Sequence, residues 1–228
     1  DITSQRQAED ALKENIELYR TLFEISPSGI VILDKNGIIL ESNKAISYIL
    51  QYTTEELKGM NVRKLSLPER YEQIDADIER ILSGEVLHNE IENIRKDGSV
   101  CIIELHEKSI DLRNGEKGIL ATINDITLRK QAQDAEISLR KQLKKILDLV
   151  PSYIFAKDYN GKFLMVNKSL ANLFGVSPEE VVGKTDADYG ASPEQIEGYI
   201  KADREVIDSG KEIFIKEEQV LRKDGKQG

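Results

Sequence analysis

The chain has 228 residues, which is enough for one large domain or for two domains of roughly 100 residues each. Its 32 Lys and Arg residues against 41 Asp and Glu residues give a net charge of −9, and this balance argues against a nucleic-acid-binding surface, which is normally basic. Apolar residues make up 39% of the sequence and charged residues 32%, a composition typical of a folded globular chain and too apolar for a disordered one.

The cysteine content and the lengths of the apolar runs argue against a disulfide-bonded fold, a cysteine-rich metal site and a membrane-spanning segment. The single cysteine, Cys101, can form neither an internal disulfide nor a cysteine-rich metal site. The longest apolar runs, such as residues 29–33, are far shorter than the roughly 20 residues that span a bilayer, so we expect no membrane contact and a cytoplasmic location. The chain has no initiator Met and no evident stop signal, and we expect it to be an excerpt of a longer protein.

The first predicted element is a helix over residues 4–25, which contain no Gly or Pro. Apolar residues recur along it at the spacings of three and four that favour a two-helix seam, with Asn15 interrupting: Ala8, Ala11, Leu18, Leu22 and Ile25. A second stripe suits packing on the helix's own domain: Leu12, Ile16, Tyr19 and Phe23. We expect the first stripe to pair the helices of two chains, and the alternative is that it also packs within its own domain.

A β-hairpin is predicted after this helix, with strands over residues 29–34 and 38–43. The turn between them contains Asn36-Gly37, which we expect to supply the positive φ angles of a tight hairpin. Asn43 stands where the second strand gives way to a helix, and asparagine is a favoured N-cap residue.

Short helices and three further strands complete the predicted unit. A short helix begins near residues 53–56, and the apolar spacing over residues 68–82 predicts a longer one. The strand-like runs that follow are separated by Asp97-Gly98 and Asn114-Gly115 and cover residues 86–94, 100–112 and 118–126. This order predicts an α+β fold, in which a five-stranded antiparallel sheet carries short helices on one face.

Residues 128–149 form a second predicted helix with a heptad-like stripe. Its apolar positions, interrupted by Gln142, are Ala132, Ala135, Leu139, Ile146 and Leu149. We therefore expect long amphipathic linker helices, and a homodimer formed through these helices and the units they join.

The chain then repeats itself. Residues 27–59 align without a gap with residues 151–183, with 12 identities in 33 positions. The turn sequence Arg95-Lys96-Asp97-Gly98 returns at residues 222–225. The second unit stops where its last two strands are expected to begin, so we expect its sheet to keep an unpaired edge.

These residues resemble the tandem PAS domains of bacterial and archaeal signalling proteins. The motifs that carry the resemblance are Asp34-Lys35-Asn36-Gly37 with Asn43, the helix 55–59, the turn 95–98 and, above all, Asn124-Asp125-Ile126-Thr127, which is similar to the Asp-Ile-Thr signature at the end of a PAS domain. The resemblance covers nearly the whole chain. It implies the end of a preceding unit with a linker helix (1–25), a PAS domain (26–127), a linker helix (128–149) and an incomplete second PAS domain (150–228).

The resemblance implies a sensory region of a signal-transduction protein, and we expect a multi-PAS histidine kinase. In this interpretation Asp125, Ile126 and Thr127 relay a change in packing from the last strand to the following helix. The alternative is a scaffold that binds no ligand, dimerises and spaces other domains, with another output, such as a diguanylate cyclase. In either case the output domain is expected beyond residue 228.

No catalytic or metal site is predicted, and we do not expect this fragment to be an enzyme. His88 and His106 fall in predicted strands without a Cys or His at ligand spacing, so we expect them to be ordinary sheet residues. Cys101 is expected to be a small buried residue. The Gly-containing segments are hairpin turns rather than phosphate loops.

The resemblance also bears on cofactors. Haem-binding PAS domains use a His on the long helix, where Gln73 and Tyr199 stand here, and photoactive flavin modules need a Cys that residues 59–63 lack. Haem and photoactive flavin are therefore disfavoured, although haem ligation by His88 or His106 stays open. A small organic ligand, or none, remains.

A ligand is expected between the helices and the inner face of the sheet. The candidate lining residues of the first unit are Ile32, Ile49, Tyr71, Ile74, Ile78, Ile102, Glu104, Ala121 and Ile123. Among them Glu104 and Tyr71 are the candidate specificity groups, because most of the others are core residues on any interpretation.

Overall fold

The computed structural model describes residues 2–214, without the side chains of residues 2–5 and 7–9. The chain divides into two compact units, residues 1–133 and 134–228. None of the described helices combines the length and the apolar character needed to cross a membrane. The second copy of the turn, residues 222–225, lies outside the described residues, as does Asp1.

The first unit begins with a long helix and ends in a five-stranded sheet. Its helices are α1 (Ile2–Ile25), α2 (Lys44–Leu50), α3 (Thr54–Leu57) and α4 (Tyr71–Leu82), with 3₁₀ turns at Val62–Leu65 and Pro68–Arg70. Its strands are β1 (Gly29–Asp34), β2 (Ile39–Ser42), β3 (Leu87–Ile94), β4 (Val100–Asp111) and β5 (Lys117–Asp125). The strand order is β2-β1-β5-β4-β3, and every neighbouring pair is antiparallel. The predicted fold class, α+β with a five-stranded antiparallel sheet, is confirmed.

The core of the first unit lies between one face of this sheet and the helices that follow β2. Alternate residues of β1 and β4 point inward, and the buried side chains from the sheet include Val31, Leu33, Cys101, Ile103, Ile119, Ala121 and Ile123. The helical side contributes Ile46, Leu50, Leu57, Leu65 and Ile81. Cys101 is fully buried, and burial raises the pKa of its thiol, so it acts as a small core residue.

Asn43 joins three elements of the first unit at one buried side chain. Its Oδ1 accepts the backbone N–H of Ile30 at 2.8 Å and caps α2 by accepting that of Ile46 at 3.4 Å. Its Nδ2 donates to the carbonyls of Phe23, near the end of α1, and of Ser28, each at 2.9 Å. Asn43 is therefore the predicted N-cap of α2 and, in addition, the link between the incoming helix and the sheet.

The β1–β2 turn differs in one detail from the prediction. Only Gly37 has a positive φ, at 75°, whereas Asn36 does not. The turn is held instead by Asp34, whose Oδ1 accepts the N–H groups of Asn36 and Ile38, both at 2.8 Å. A carboxylate that accepts local N–H groups stabilises the loop without the two positive φ angles of a type I′ turn.

The second unit repeats the start of the first. Helix α5 (Thr127–Leu149) is the linker helix predicted over 128–149, and it is followed by β6 (Phe155–Lys157), β7 (Phe163–Val166), α6 (Lys168–Phe174), α7 (Pro178–Val181), a 3₁₀ turn at Asp186–Tyr189 and α8 (Pro193–Ser209). Strands β6 and β7 form a two-stranded antiparallel sheet. Asn167 repeats the contacts of Asn43, because its Oδ1 accepts the N–H of Ile154 at 3.1 Å and its Nδ2 lies 3.1 Å from the carbonyl of Leu147 in α5.

We predict that Asn43→Ala destabilises the first unit by about 2–4 kcal/mol, because it leaves several buried backbone groups without a partner. Thermal or urea unfolding followed by circular dichroism measures this loss. Asn36→Ala, in the exposed β1–β2 turn, is the matched control and should change the free energy of unfolding by less than about 0.5 kcal/mol. Equal stabilities of the two variants would contradict the role of Asn43.

Candidate ligand cavity and helix junction

A cavity of about 80 Å³ lies between the inner face of the sheet and α4. Most of its walls are apolar core side chains. Polar groups also reach it: Ser66, Arg70, Asp77, Asn89, Asn93 and Glu107. An apolar space with a few polar groups is the usual form of a small-molecule site.

Four of the nine candidate ligand residues line this cavity: Ile74, Ile78, Ala121 and Ile123. Ile49 packs against the core outside the cavity, and Tyr71 is an exposed residue at the start of α4. These two do not contribute to its walls.

The expectation that Ile32, Ile102 and Glu104 face the cavity is wrong. Successive side chains of a strand point to opposite faces, so an error of one residue moves a side chain to the other side of the sheet. In β4 the inward positions are Ile103, Leu105 and Glu107. In β1 they are Val31 and Leu33.

Glu107 is one of two acidic side chains at the cavity, with Asp77, and neither was among the candidate ligand residues. Burial and, to a lesser extent, the nearby Asp77 carboxylate raise the pKa of its carboxyl to about 7, and Arg70 opposes this rise. Below about pH 7 the group therefore carries a proton and can donate a hydrogen bond. This position could have been predicted from the sequence. Every second side chain of a strand points to the same face, so a buried Cys101 implies that residue 107, six positions later, also points inward.

Two further polar side chains define the chemistry of the cavity. The Oδ1 of Asn93 is buried and has no hydrogen-bond partner among the described residues, so it is available as an acceptor. The Oδ1 of Asp77 accepts from Gln73 at 2.8 Å and from Arg80 at 3.1 Å. Gln73 stands where haem-binding PAS domains have their haem-ligating His, and it is an exposed residue.

Asp125, Ile126 and Thr127, the residues predicted to act as a relay, lie where β5 meets α5. Thr127 begins α5, and its Oγ1 accepts the N–H of Ile102 in β4 at 2.9 Å. The N–H of Ile126 donates to the carbonyl of Ile102, also at 2.9 Å. Asp125 accepts the N–H of Thr127 at 2.9 Å and its hydroxyl at 2.6 Å. The first turn of α5 is thus bonded to the start of β4 as well as to the end of β5.

Arg95 extends this junction to a third element. Its Nη2 lies 2.7 Å from Asp125 Oδ2, and its Nε donates to the carbonyl of Ile49 in α2 at 2.9 Å. Burial by itself raises the pKa of Asp125, but the hydrogen bonds from Thr127 and Arg95 outweigh it and hold the pKa below its usual value. The role of Arg95 was not predicted, although the residue belongs to the motif 95–98.

His88 and His106 lie in strands, as expected, and the structure also pairs them with each other. They are directly opposite each other in the β3–β4 pair, and their rings stack with centroids 3.8 Å apart. Glu104 lies beside them on the outer face of the sheet, with its Oε1 3.6 Å from His88 Nε2. Sequence spacing could not show this pair, because strand pairing joins residues that are far apart in the chain.

The second unit contains its own cavity, of about 260 Å³. The largely buried Lys157 reaches it, with its Nζ 2.7 Å from Asp186 Oδ2. The ammonium group also lies 4.9–5.4 Å from the ring centres of Phe163, Phe155 and Tyr199. Tyr199 stands at the second position where the resemblance implies a haem-ligating His.

Two family descriptions match the chain. The family described as PAS domain matches residues 27–128, and the family described as PAS fold matches residues 147–228. Among solved structures, the PAS domain of an HTR-like protein from Haloarcula marismortui is 30% identical, with 53% of this chain and 99% of that chain covered and a TM-score of 0.49. A domain of a sensory box sensor histidine kinase/response regulator from Geobacter sulfurreducens is 31% identical, with 50% and 96% covered and a TM-score of 0.44.

Curated relatives are much longer than this chain. It is 28% identical over 144 residues to the sensor histidine kinase TmoS of Ectopseudomonas mendocina, which is 62% of this chain and 15% of that protein. The methyl sulfide methyltransferase-associated sensor of Methanosarcina acetivorans is also 28% identical over 144 residues, 63% of this chain and 14% of that protein. A 75-residue stretch, 33% of this chain and 7% of the relative, is 31% identical to the probable diguanylate cyclase DgcE of Escherichia coli.

We predict that Glu107→Gln stabilises the first unit at pH 8 by up to about 3 kcal/mol. The folded carboxyl keeps its proton up to about pH 7, whereas the unfolded one loses it near 4.5, so the stability of the unchanged protein falls as pH rises between these values. The amide does not titrate, and at pH 5 its advantage should shrink to less than about 1 kcal/mol.

Melting curves at pH 5 and pH 8 test this prediction. Glu104→Gln is the control on the same strand, because a hydrogen bond from Asn124 and the nearby Arg129 hold the pKa of Glu104 below its usual value. That variant should gain nothing at pH 8. A pH-independent difference between Glu107→Gln and the unchanged protein would contradict the buried-acid assignment.

Proposed function

Because the chain belongs to the PAS family and carries two PAS domains in tandem, we propose that it is a cytoplasmic sensory and relay region of a sensor histidine kinase. The observation that carries the proposal is the junction of Arg95, Asp125 and Thr127, which bonds the sheet around the cavity to the start of α5. We also propose that the output domain is a histidine kinase that follows this region in the full-length protein, and the similarity to the sensor histidine kinase TmoS supports this.

Strand β4 connects the cavity with the junction. Glu107 contributes to the cavity wall, and Ile102, five residues earlier on the same strand, bonds to Ile126 and Thr127. A ligand that moves β4 relative to α4 therefore also moves the groups that hold the first turn of α5. The change in α5 is a shift between two helix arrangements, and a ligand can bias it only by its differential affinity for the two.

Modest energies are sufficient for such a relay. A bias of 1–2 kcal/mol changes the ratio of two states by a factor of about 5–30. Rearranging one charge-assisted contact, such as that between Arg95 and Asp125, is of this order. The junction can therefore change output several-fold without unfolding the domain.

The size and polarity of the cavity indicate the class of ligand. At about 80 Å³ it is smaller than the roughly 150 Å³ apolar cavity that holds benzene. We therefore propose a small organic molecule of a few non-hydrogen atoms, which accepts a hydrogen bond from protonated Glu107 and donates one to Asn93 Oδ1. The volume of the cavity favours such a ligand over haem or flavin.

The linker helices are proposed to pair with those of a second copy of the chain. On α1, the seam residues Leu18, Leu22 and Ile25 are 57–69% exposed. Phe23, from the other stripe, is buried against its own domain and stacks with Tyr19. On α5, the exposed seam residues are Leu139, Ile146 and Leu149. Covering these rows of apolar side chains is the driving force for a coiled coil.

The second candidate is a ligand-free scaffold in a protein with a different output. The 31% identity to the probable diguanylate cyclase DgcE favours keeping this alternative. A panel of small metabolites separates the two, because a sensor shows ligand-induced shifts in melting temperature and a scaffold shows none.

We predict that Asp125→Ala or Thr127→Ala uncouples output from signal in the full-length protein while the PAS domain stays folded. Each change removes bonds that hold the first turn of α5 to the sheet. A reporter assay of output with and without stimulus measures the coupling, and circular dichroism checks the fold. Asp111→Ala, in an exposed ion pair at the far end of β4, is the control and should signal normally. Unchanged signalling by both junction variants would count against the relay.

We also predict that the 228-residue chain is a dimer at micromolar concentration and that Leu139→Glu with Ile146→Glu makes it monomeric. The two charges would lie in the apolar seam, where they cannot be desolvated without a large cost. Multi-angle light scattering measures the mass. Ser138→Glu, beside the seam on the same helix, should remain dimeric. A monomer in the unchanged chain would remove the coiled-coil proposal.

A further inference from the structure

The outer face of the sheet brings together two imidazoles and a carboxylate. His88 in β3 lies opposite His106 in β4, and Glu104 is two residues from His106 on the same face. One nitrogen from each ring and one carboxylate oxygen lie within 4.8 Å of one another. All three side chains are wholly or partly accessible from solvent, so an ion can reach them without a movement of the backbone.

We infer that His88, Glu104 and His106 form a binding site for a divalent transition-metal ion, and we assign it to Zn²⁺. Two histidines and one carboxylate, with water in the fourth position, are an established zinc donor set. Imidazole nitrogen selects zinc and its neighbours among the transition metals over Mg²⁺ and Ca²⁺, which prefer oxygen ligands.

The distances fit a tetrahedral ion. With metal–ligand bonds of about 2.0–2.1 Å, two ligand atoms of a tetrahedron lie about 3.4 Å apart. The distance from His88 Nε2 to Glu104 Oε1 is already 3.6 Å. The remaining spread, up to 4.8 Å, is within the reach of ring rotations of surface histidines on a sheet whose pairing fixes the backbone.

A chain of hydrogen bonds orients the carboxylate. Glu104 Oε2 accepts from Asn124 Nδ2 at 3.2 Å, and Asn124 Oδ1 accepts from Ser28 Oγ at 2.6 Å. This fixes one oxygen toward β5 and leaves Oε1 directed at His88. Metal-binding carboxylates are commonly held in this way by neighbouring donors.

The site also contacts the start of α5. The Arg129 guanidinium lies 3.7 Å from Glu104 Oε1 and 3.8 Å from Glu90, and Lys130 forms an ion pair with Glu90. A Zn²⁺ ion on Oε1 competes with Arg129 for the same oxygen and repels its charge. Zinc binding therefore loosens one contact that holds the first turns of α5, and this regulatory part of the inference rests on the proposed role of α5 in signalling.

Isothermal titration of the purified 228-residue chain with ZnCl₂ tests the site. We expect one Zn²⁺ per chain, and we expect His88→Gln, His106→Gln and Glu104→Gln each to weaken its affinity at least tenfold. Glu92→Gln is the matched control, since it removes the same charge from an exposed position farther along β3 and should leave the affinity unchanged. Zinc binding by both histidine variants within twofold of the unchanged chain would overturn the site.

Two further measurements keep the test independent of folding and of signalling. Absorption spectra with Co²⁺ in place of Zn²⁺ should show the intense visible bands of a four-coordinate ion in the unchanged chain and not in His106→Gln. Arg129→Gln should raise zinc affinity severalfold, whereas Arg140→Gln on the same helix should not. Equal affinities in these two variants would overturn the link to α5, whatever the outcome of the Asp125 reporter assay.

Discussion

The structure depends on one buried asparagine in each unit. Asn43 and Asn167 each bond an incoming helix, the first strand of a sheet and the next helix through a single side chain. Because the donors and acceptors of an amide are fixed in direction, the angle at which the helix enters is set by the sheet. Without these hydrogen bonds, the ends of α1 and α5 would lose their buried polar link to the sheet that follows them.

The connection from the first unit to α5 does not use an asparagine. It uses hydrogen bonds between strand β4 and the start of that helix. Strand β4 has the cavity on its inner face, the histidine pair on its outer face and the carbonyl and N–H of Ile102 at its junction with α5. A shift of β4 caused by a change on either face would therefore alter the same few hydrogen bonds, those between Ile102 and the start of α5. In the proposed relay, only the position of this strand has to change.

The sequence predicted the fold well because its signals were local. The Asn43 cap and the turn residues each act within a few positions, and the limits of the strands followed from the turns. It was harder to predict which residues of each strand point into the core. The run 29–34 is apolar on both faces, so the alternation that separates Ile32 from Val31 cannot be read from it. The His88–His106 pair depends on strand register across 18 residues, which local patterns do not contain.

The repeated asparagine has a consequence for how proteins of this kind grow. In each unit the asparagine is hydrogen-bonded to the helix that comes before the sheet. In the first unit, the helix that follows the last strand is hydrogen-bonded to the sheet as well. One linker helix can therefore be held at its start by one unit and at its end by the next. A tandem gene duplication that copies one full period thus brings its own attachment points along with it. Arrays can lengthen by concatenation without a new interface at each step, and the 12 identities between residues 27–59 and 151–183 include both asparagines.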